Sequence, residues 1–278
     1  VLPSPKILRI IQDKNKQKLF FKKNNFPTSN FTYFKSKNEL RDFHKKNNIN
    51  FPCVWKKTKF GYDGFGVKIL KGENDFLDLP DCEMIIEDLV VFKKELSVIV
   101  AMNEDGKLKT YETVEMEFNP NSNQVEFVIS PANVSEEINI NAKKIASELA
   151  KKINLVGLLA VEMFLTSDKK ILINEIAPRP HNSGHFSIDA CSTSQFKQYI
   201  NSIMNYELGE TYHEKCAIMI NLVGEENHNG KVKYENIDFI KNQNDVFIHL
   251  YGKKITRPNR KMGHVTVICD NFVEAYKK

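Results

Sequence analysis

Cysteine is scarce in this sequence of 278 residues, and only one tryptophan is present. The five cysteines, Cys53, Cys82, Cys191, Cys216 and Cys269, are scattered and form no Cys-x-x-Cys pair. That spacing argues against both a disulfide framework and a thiolate metal site, and reduced thiols in a cytoplasmic protein are the simpler expectation. No apolar run approaches the ~20 residues that cross a bilayer, so no membrane-spanning helix is expected. The first residues, Val1-Leu2-Pro3-Ser4-Pro5, carry neither an initiator methionine nor a signal-peptide pattern. Internal repeats and low-complexity linkers are absent, although asparagine and lysine are abundant throughout. The excess of 40 basic over 35 acidic residues is small. Its lysines are dispersed, with no compact basic helix or aromatic–basic ladder, so nucleic acid is not an expected partner. Small anionic substrates suit the same charge.

What remains is an ordinary globular balance, 41% apolar and 27% charged. The length favours two or three packed subdomains over one simple domain. Residues 10–24 read as a helix, followed by a break at Phe26-Pro27-Thr28 and a short strand near 31–34. Ser36 is placed to cap a helix reaching about His44, with Leu40 and Phe43 on its buried side. A strand at 52–57 runs into the glycine-rich stretch 61–66 and out again as 67–70, an order unlike a Walker loop, which opens a helix. Strands are expected at 84–87, 95–102, 108–116 and 124–129. A helix is expected at 136–153, where Ile138, Ala142, Ile145, Leu149 and Ile153 recur at helical spacing, Ser135 can cap, and Glu136 and Glu137 suit the positive end. An apolar hairpin, 158–165 and 171–176, precedes a helix near 194–205. Short strands at 216–223, 246–251 and 263–269 suggest a small β-rich block.

The hairpin carries the strongest chemical signal. A turn near Ser167-Asp168-Lys169-Lys170 sets Glu162 opposite Glu175, each within an apolar strand. Facing carboxylates repel, and burial sharpens the repulsion, so a cation should lie between them. Magnesium fits, with Asn174 as a neutral oxygen ligand. Strict alternation would aim Asn174 and Glu175 at opposite faces, so a twist or strand end near Ala177-Pro178 must intervene if both are ligands. The plainer alternative leaves one glutamate in solvent and pairs the other with a lysine. Gly61-Tyr62-Asp63-Gly64-Phe65-Gly66 is either a phosphate-covering loop or an ordinary β-turn. Lys56, shortly before it, is either an inward phosphate ligand or a solvated lysine. Arg179, His181, Asn182, Ser183 and His185 crowd around proline and glycine just after the hairpin, as a site or as a structural turn. A second basic turn runs through Arg257, Arg260 and Lys261, preceded by Lys253 and Lys254.

In order and spacing these segments resemble the N5-carboxyaminoimidazole ribonucleotide synthetases, ATP-grasp carboxylases of purine biosynthesis. The likeness runs from Gln12-Asp13…Gln17-Lys18 through Lys56 with Gly61–Gly64, Glu87…Glu95, Glu162 and Asn174-Glu175-Ile176-Ala177-Pro178-Arg179. It continues through His181-Asn182-Ser183-Gly184-His185, His249-Leu250-Tyr251-Gly252-Lys253 and Arg257-Pro258-Asn259-Arg260-Lys261-Met262-Gly263-His264. The resemblance implies an α+β chain. Its ATP-grasp fold, two α/β subdomains enclosing ATP, would occupy residues 1–213, with a mobile subdomain at about 50–92. A β-rich C-terminal subdomain would occupy 214–278, and a Rossmann-like domain would precede the first residue.

It also implies site roles. Lys14, Lys56, Gly61, Tyr62, Asp63, Gly64 and Gly66 would meet ATP phosphates. Glu87, Asp88, Leu89 and Val90 would hold adenine, mainly through backbone groups, and Glu95 would accept hydrogen bonds from the ribose. Glu162, Asn174 and Glu175 would carry two magnesium ions. Arg179, His181, Asn182, Ser183 and His185 would line the reacting pocket. Tyr62 and Asp63 would touch the aminoimidazole, and Lys253, Arg260 and Lys261 its phosphate. Bicarbonate and 5-aminoimidazole ribonucleotide would be the other substrates, and a homodimer the assembly. Lys14 stands where the family commonly has arginine, and Phe118 where it often has histidine. Two further readings are a different ATP-grasp ligase and a nucleotide-binding module without catalysis. The HNSGH and RKMGH stretches argue against the first, and the retained carboxylates against the second.

Overall fold

The computed structural model describes residues 2–61, 66–120 and 122–272. The chain opens with two helices, α1 (Pro5–Ile11) and α2 (Lys14–Lys23), where the periodicity predicts one. Asp13 breaks the run: its carboxylate accepts the Lys16 amide at 3.2 Å, so it caps a new helix instead of continuing the old one. Next come β1 (Phe31–Phe34) and α3 (Lys37–Asn47), the latter capped by Ser36. They are followed by β2 (Cys53–Lys57), β3 (Val67–Leu70) and β4 (Met84–Asp88). These strands form a four-stranded antiparallel sheet in the order β1-β4-β2-β3. The small sheet thus reaches back to residue 31, beyond the start at about 50 expected for the subdomain. Phe34, Leu40, Trp55, Leu70, Phe76 and Met84 fill its core against α3.

The second sheet is larger. It takes β5 (Phe92–Met102), β6 (Leu108–Thr110), β7 (Val114–Phe118) and β8 (Val125–Ser130). After α4 (Glu136–Lys152) come β9 (Gly157–Thr166) and β10 (Ile171–Ala177). The single strand expected at 108–116 is two, because β6 and β7 pair with separate stretches of β5. Between them Tyr111 is fully buried and donates its hydroxyl proton to the Thr193 carbonyl at 2.8 Å. Ser135 sits at the start of α4 but makes no side-chain cap bond.

Helices α5 (Ser187–Ala190) and α6 (Gln195–Ile203) lead to β11 (Cys216–Val223), β12 (Gly230–Lys231) and α7 (Ile237–Lys241). The chain then forms β13 (Val246–Leu250), β14 (Ile255–Thr256) and β15 (Lys261–Cys269). The C-terminal strands β11, β15 and β13 extend the large sheet, whose order is β10-β9-β5-β7-β8-β11-β15-β13. A continuous hydrogen-bonded surface therefore links the hairpin to the C-terminal turn.

Strand alternation gives this sheet two faces. Leu96, Val98, Val161, Met163, Ile173 and Ile176 pack against α4 and the first two helices. Glu95, Ser97 and Glu162 point to the opposite face, where Phe186 and Leu208 also lie. The site occupies that second face. No helix among the described residues is long and apolar enough to cross a membrane.

Candidate active site

Glu175 pairs directly with Glu162 across the β9–β10 hairpin, as the turn position predicts. The alternation problem at Asn174 is solved by a bulge, with the register shifting between Ile173 and Glu175. One inserted residue lets Ile173 and Ile176 stay in the core while Asn174 and Glu175 both reach the site. The expected twist at Ala177-Pro178 is not what does this.

Cationic side chains stand over these oxygens. Lys14, at the start of α2, donates to Glu175 Oε2. Lys56, on β2 of the small sheet, donates to Asn174 Oδ1 at 2.9 Å and lies 3.2 Å from Glu87 Oε1. Lys18 lies 3.1 Å from Glu87 Oε2, which also accepts the Ser29 hydroxyl at 2.7 Å. Glu87 is thus a buried carboxylate shared by two ammonium groups. Burial alone would raise its pKa, but Lys56 and Lys18 together with Ser29 hold it below the ordinary value. Burial pulls Lys18 the other way, down to about 8 against the attraction of Glu87. The Glu87 side chain thus anchors the two lysines. Lys18 entered only as part of a motif, and Ser29 not at all, since a lone polar residue before a strand gives no signal of its partner.

Glu95 and Glu162 share the site face. Burial, and then the Glu162 charge, raise Glu95 to about 7, with Lys56 opposing. For Glu162, burial works upward, and the hydrogen bond and charge of His181 with the charges of Lys14 and Lys56 bring it below its usual value. The pair therefore divides into one carboxylate held ionised and one that readily keeps its proton. Oxygen donors from Glu162, Asn174 and Glu175 converge here, with Lys14 and Lys56 as the only cations bonded to the last two among the described residues. Hard oxygens, two of them anionic, fit magnesium.

The segment after the hairpin crosses the site face. His181 Nε2 lies 3.2 Å from Glu162 Oε1, and its Nδ1 is 2.8 Å from the Ser183 hydroxyl. Gln195 clamps the segment, accepting the His181 amide at 2.9 Å and donating to the His181 carbonyl and to His185 Nδ1, each at 2.8 Å. A Cβ on Gly184 would fall 2.6 Å from Gln195 Oε1, so only glycine permits that clamp. Asn182 exchanges two amide hydrogen bonds, 2.8 and 2.9 Å, with Asn221 on β11. Arg179 is exposed and donates to the Pro180 carbonyl at 3.2 Å.

Farther along, His185, His264 and His249 stack at 5.1 and 4.6 Å between centroids. Asp189 Oδ2 lies 2.9 Å from His249 Nε2, and the Tyr251 hydroxyl lies 3.0 Å from His264 Nδ1. Burial lowers His185 to about 3 and His264 to about 4, with the neighbouring imidazoles adding to both. Asp189, His249 and His264 are close enough to suggest a metal site. Near-parallel rings keep their in-plane lone pairs side by side, however, so the group reads as a packed column. Lys253 lies over the Tyr251 ring at 5.5 Å, and Arg260 donates to the Ile255 carbonyl at 2.7 Å. Gly61 and Gly66 flank the glycine loop, and Gly66 has a left-handed φ of 82°. Tyr62, Asp63 and Gly64 lie outside the described residues.

Comparison with known proteins fixes the family. Residues 19–196 match the ATP-grasp domain, and residues 217–278 match the phosphoribosylaminoimidazole carboxylase C-terminal domain. N5-carboxyaminoimidazole ribonucleotide synthase of Bacillus subtilis is 38% identical over 267 residues, covering 94% of this chain and 67% of that protein. The chain belongs to the N5-carboxyaminoimidazole ribonucleotide synthetases, within the ATP-grasp family. A synthetase structure from Thermotoga maritima superposes with a TM-score of 0.88 at 41% identity, over 99% of this chain and 71% of that one. The Aspergillus clavatus synthase in complex with ADP and 5-aminoimidazole ribonucleotide gives 0.88 at 29% identity, over 99% and 73%. The chain spans half of the phosphoribosylaminoimidazole carboxylase of Candida glabrata.

Proposed function

We propose that this chain carboxylates 5-aminoimidazole ribonucleotide with bicarbonate at the expense of ATP, releasing ADP and phosphate. The observation that carries the proposal is the meeting of Glu162, Asn174 and Glu175 of the large sheet with Lys56 of the small sheet and Lys14 of α2, around the gap that would hold ATP. Lys14 and Lys56 would release their present partners to the triphosphate, with Gly61–Gly66 closing over it. Residues 87–90 would contact adenine, and Glu95 the ribose. Glu162, Asn174 and Glu175 would hold magnesium, which supplies charge neutralisation on the transferring phosphoryl group.

Bicarbonate oxygen would attack the γ-phosphorus and displace ADP, giving carboxyphosphate. Arg179, His181, Asn182, Ser183 and His185 would border that intermediate and shield it from water. The exocyclic amine of the ribonucleotide would then attack the activated carbon and expel phosphate. Tyr62 and Asp63 would position its ring, and Lys253, Arg260 and Lys261 its phosphate. A cytoplasmic homodimer is the assembly in which we place this activity.

ADP release with ATP and magnesium tests the reading. We expect release to require both bicarbonate and the ribonucleotide, and Glu175→Gln to abolish it while leaving the circular dichroism spectrum unchanged. ADP release indifferent to the ribonucleotide would refute the substrate, and full activity of Glu175→Gln would refute the metal assignment.

A further inference from the structure

The bulge in β10 sets a physical problem of its own. An extra residue in a strand drops out of the ladder and leaves the backbone around it loosely held. Strand β10 also stands at one end of the nine-stranded order, so β9 pairs with only one of its sides. Asn174 and Glu175 nevertheless reach the site from that stretch, and both need a fixed backbone to act as ligands.

Residues from the first part of the chain meet β10 on either side of the bulge. Ahead of it, Ile173 forms an isolated parallel bridge with Thr28. The Ile173 amide donates to the Pro27 carbonyl at 2.8 Å, and the Ile173 carbonyl accepts the Thr28 hydroxyl at 2.8 Å. Beyond it, the Ile176 amide donates to Gln17 Oε1 at 3.3 Å. Gln17 is itself buried, and its Nε2 donates to the carbonyl of Ile11, the last residue of α1, at 2.6 Å.

Each contact has one orientation. A carbonyl only accepts, so the Thr28 hydroxyl donates to Ile173, and its oxygen takes the Lys18 ammonium at 2.7 Å. The Ile11 carbonyl likewise takes a Gln17 amide hydrogen, which turns Oε1 toward the Ile176 N–H. Ile173 and Ile176 already choose the register by packing in the core. What Thr28 and Gln17 add is a hold on the peptide groups at the two ends of the bulge.

We propose that Gln17 and Thr28 are positioning residues that bracket the β10 bulge and hold Asn174 and Glu175 in place as ligands. They act through the backbone on either side of the pair, the role that outer hydrogen bonds play in aiming metal ligands. The effect on metal binding rests on the ligands proposed above, whereas the bracket does not.

Amide hydrogen exchange in the ligand-free chain tests the bracket. Thr28→Val keeps the shape of the side chain and removes its hydroxyl, while Lys18 retains Ser29 and Glu87. Exchange at Ile173 should rise by about 3- to 10-fold, the worth of one hydrogen bond, and Thr28→Ser should restore the parent rate. Gln17→Met should have the same effect at Ile176. An Ile173 amide indifferent to Thr28→Val, or faster exchange that Thr28→Ser leaves uncorrected, overturns the proposal. If Thr28→Val does not fold, the Ile176 amide in Gln17→Met decides it.

Manganese titrated into the ADP-saturated chain, followed by water proton relaxation, reads metal affinity without turnover. Thr28→Val and Gln17→Met should each weaken it by about 10-fold, in the range for outer groups that orient a ligand, with Thr28→Ser at the parent level. Parent affinity in both variants, alongside faster exchange, refutes the positioning role and leaves a contact that serves the fold alone. A parent chain that takes up no manganese would sink the metal ligands of the proposed function, and the exchange rates would still decide the bracket.

Discussion

Glu87 shows how a single side chain can serve the site through the lysines it holds. Its carboxylate holds Lys18 and Lys56, both buried, and the second of these also reaches Asn174. Glu87→Gln removes the negative charge and leaves two ammonium groups in a poorly solvated place, a loss of about 3–5 kcal/mol for a broken buried pair. Urea denaturation near neutral pH should show it. The pH dependence has a definite sign. The folded-state pKa of Glu87 lies below its ordinary value of 4.5, so its contribution is complete above that value and disappears as pH falls through the folded one. The acid side of the parent's stability curve should therefore be steeper than that of Glu87→Gln; parallel curves would mean that Glu87 is not held ionised. None of this was legible in the sequence. Glu87 and Lys18 are 69 positions apart, and lysines are too common here for any one of them to announce a buried partner.

Elements with strong periodicity were legible, and those set by pairing partners were not. The apolar spacing of residues 138–153 predicts α4 almost to its ends. The facing of Glu162 and Glu175 follows from turn position alone. By contrast, the bulge at Asn174 depends on two buried isoleucines that must both face the core, and the split of 108–116 depends on two separate stretches of β5. Sequence periodicity sees one strand at a time and misses both. Helix α4 also lends itself to a test that separates stability from function. Leu149 is fully buried in it and belongs to the cluster with Val161, Met163 and Ile176, on the face away from the site. Leu149→Ala should cost about 2–5 kcal/mol through the cavity it leaves. ADP release per folded molecule should stay at the parent level below the lowered melting temperature. A matching loss of specific activity would show that the two faces of the sheet are coupled.

Across the whole molecule, the proposed ATP and ribonucleotide sites stand toward opposite ends of one sheet. Glu162 and Glu175 are on β9 and β10 at one edge, whereas Arg260 precedes β15 near the other. The segment 181–189 joins them, through His181 to Glu162, Asn182 to Asn221 on β11, His185 to His264 on β15, and Asp189 to His249 on β13. A turn packed as tightly as the one holding Arg260 transmits position well. Gly224 donates its amide to the Arg260 carbonyl at 2.9 Å, and a Cβ on Gly224 would fall 2.3 Å from the Arg257 carbonyl oxygen. Arg260→Ala deletes a guanidinium at the far end while leaving that backbone in place. A lost charged contact to a ligand phosphate is worth about 1.5–3 kcal/mol, or roughly 10- to 150-fold in binding. The KM for the ribonucleotide should rise within that range while the KM for ATP moves less than about twofold. Equal increases in both would mean that the two sites are not separable along the sheet, and would remove Arg260 from the ribonucleotide phosphate.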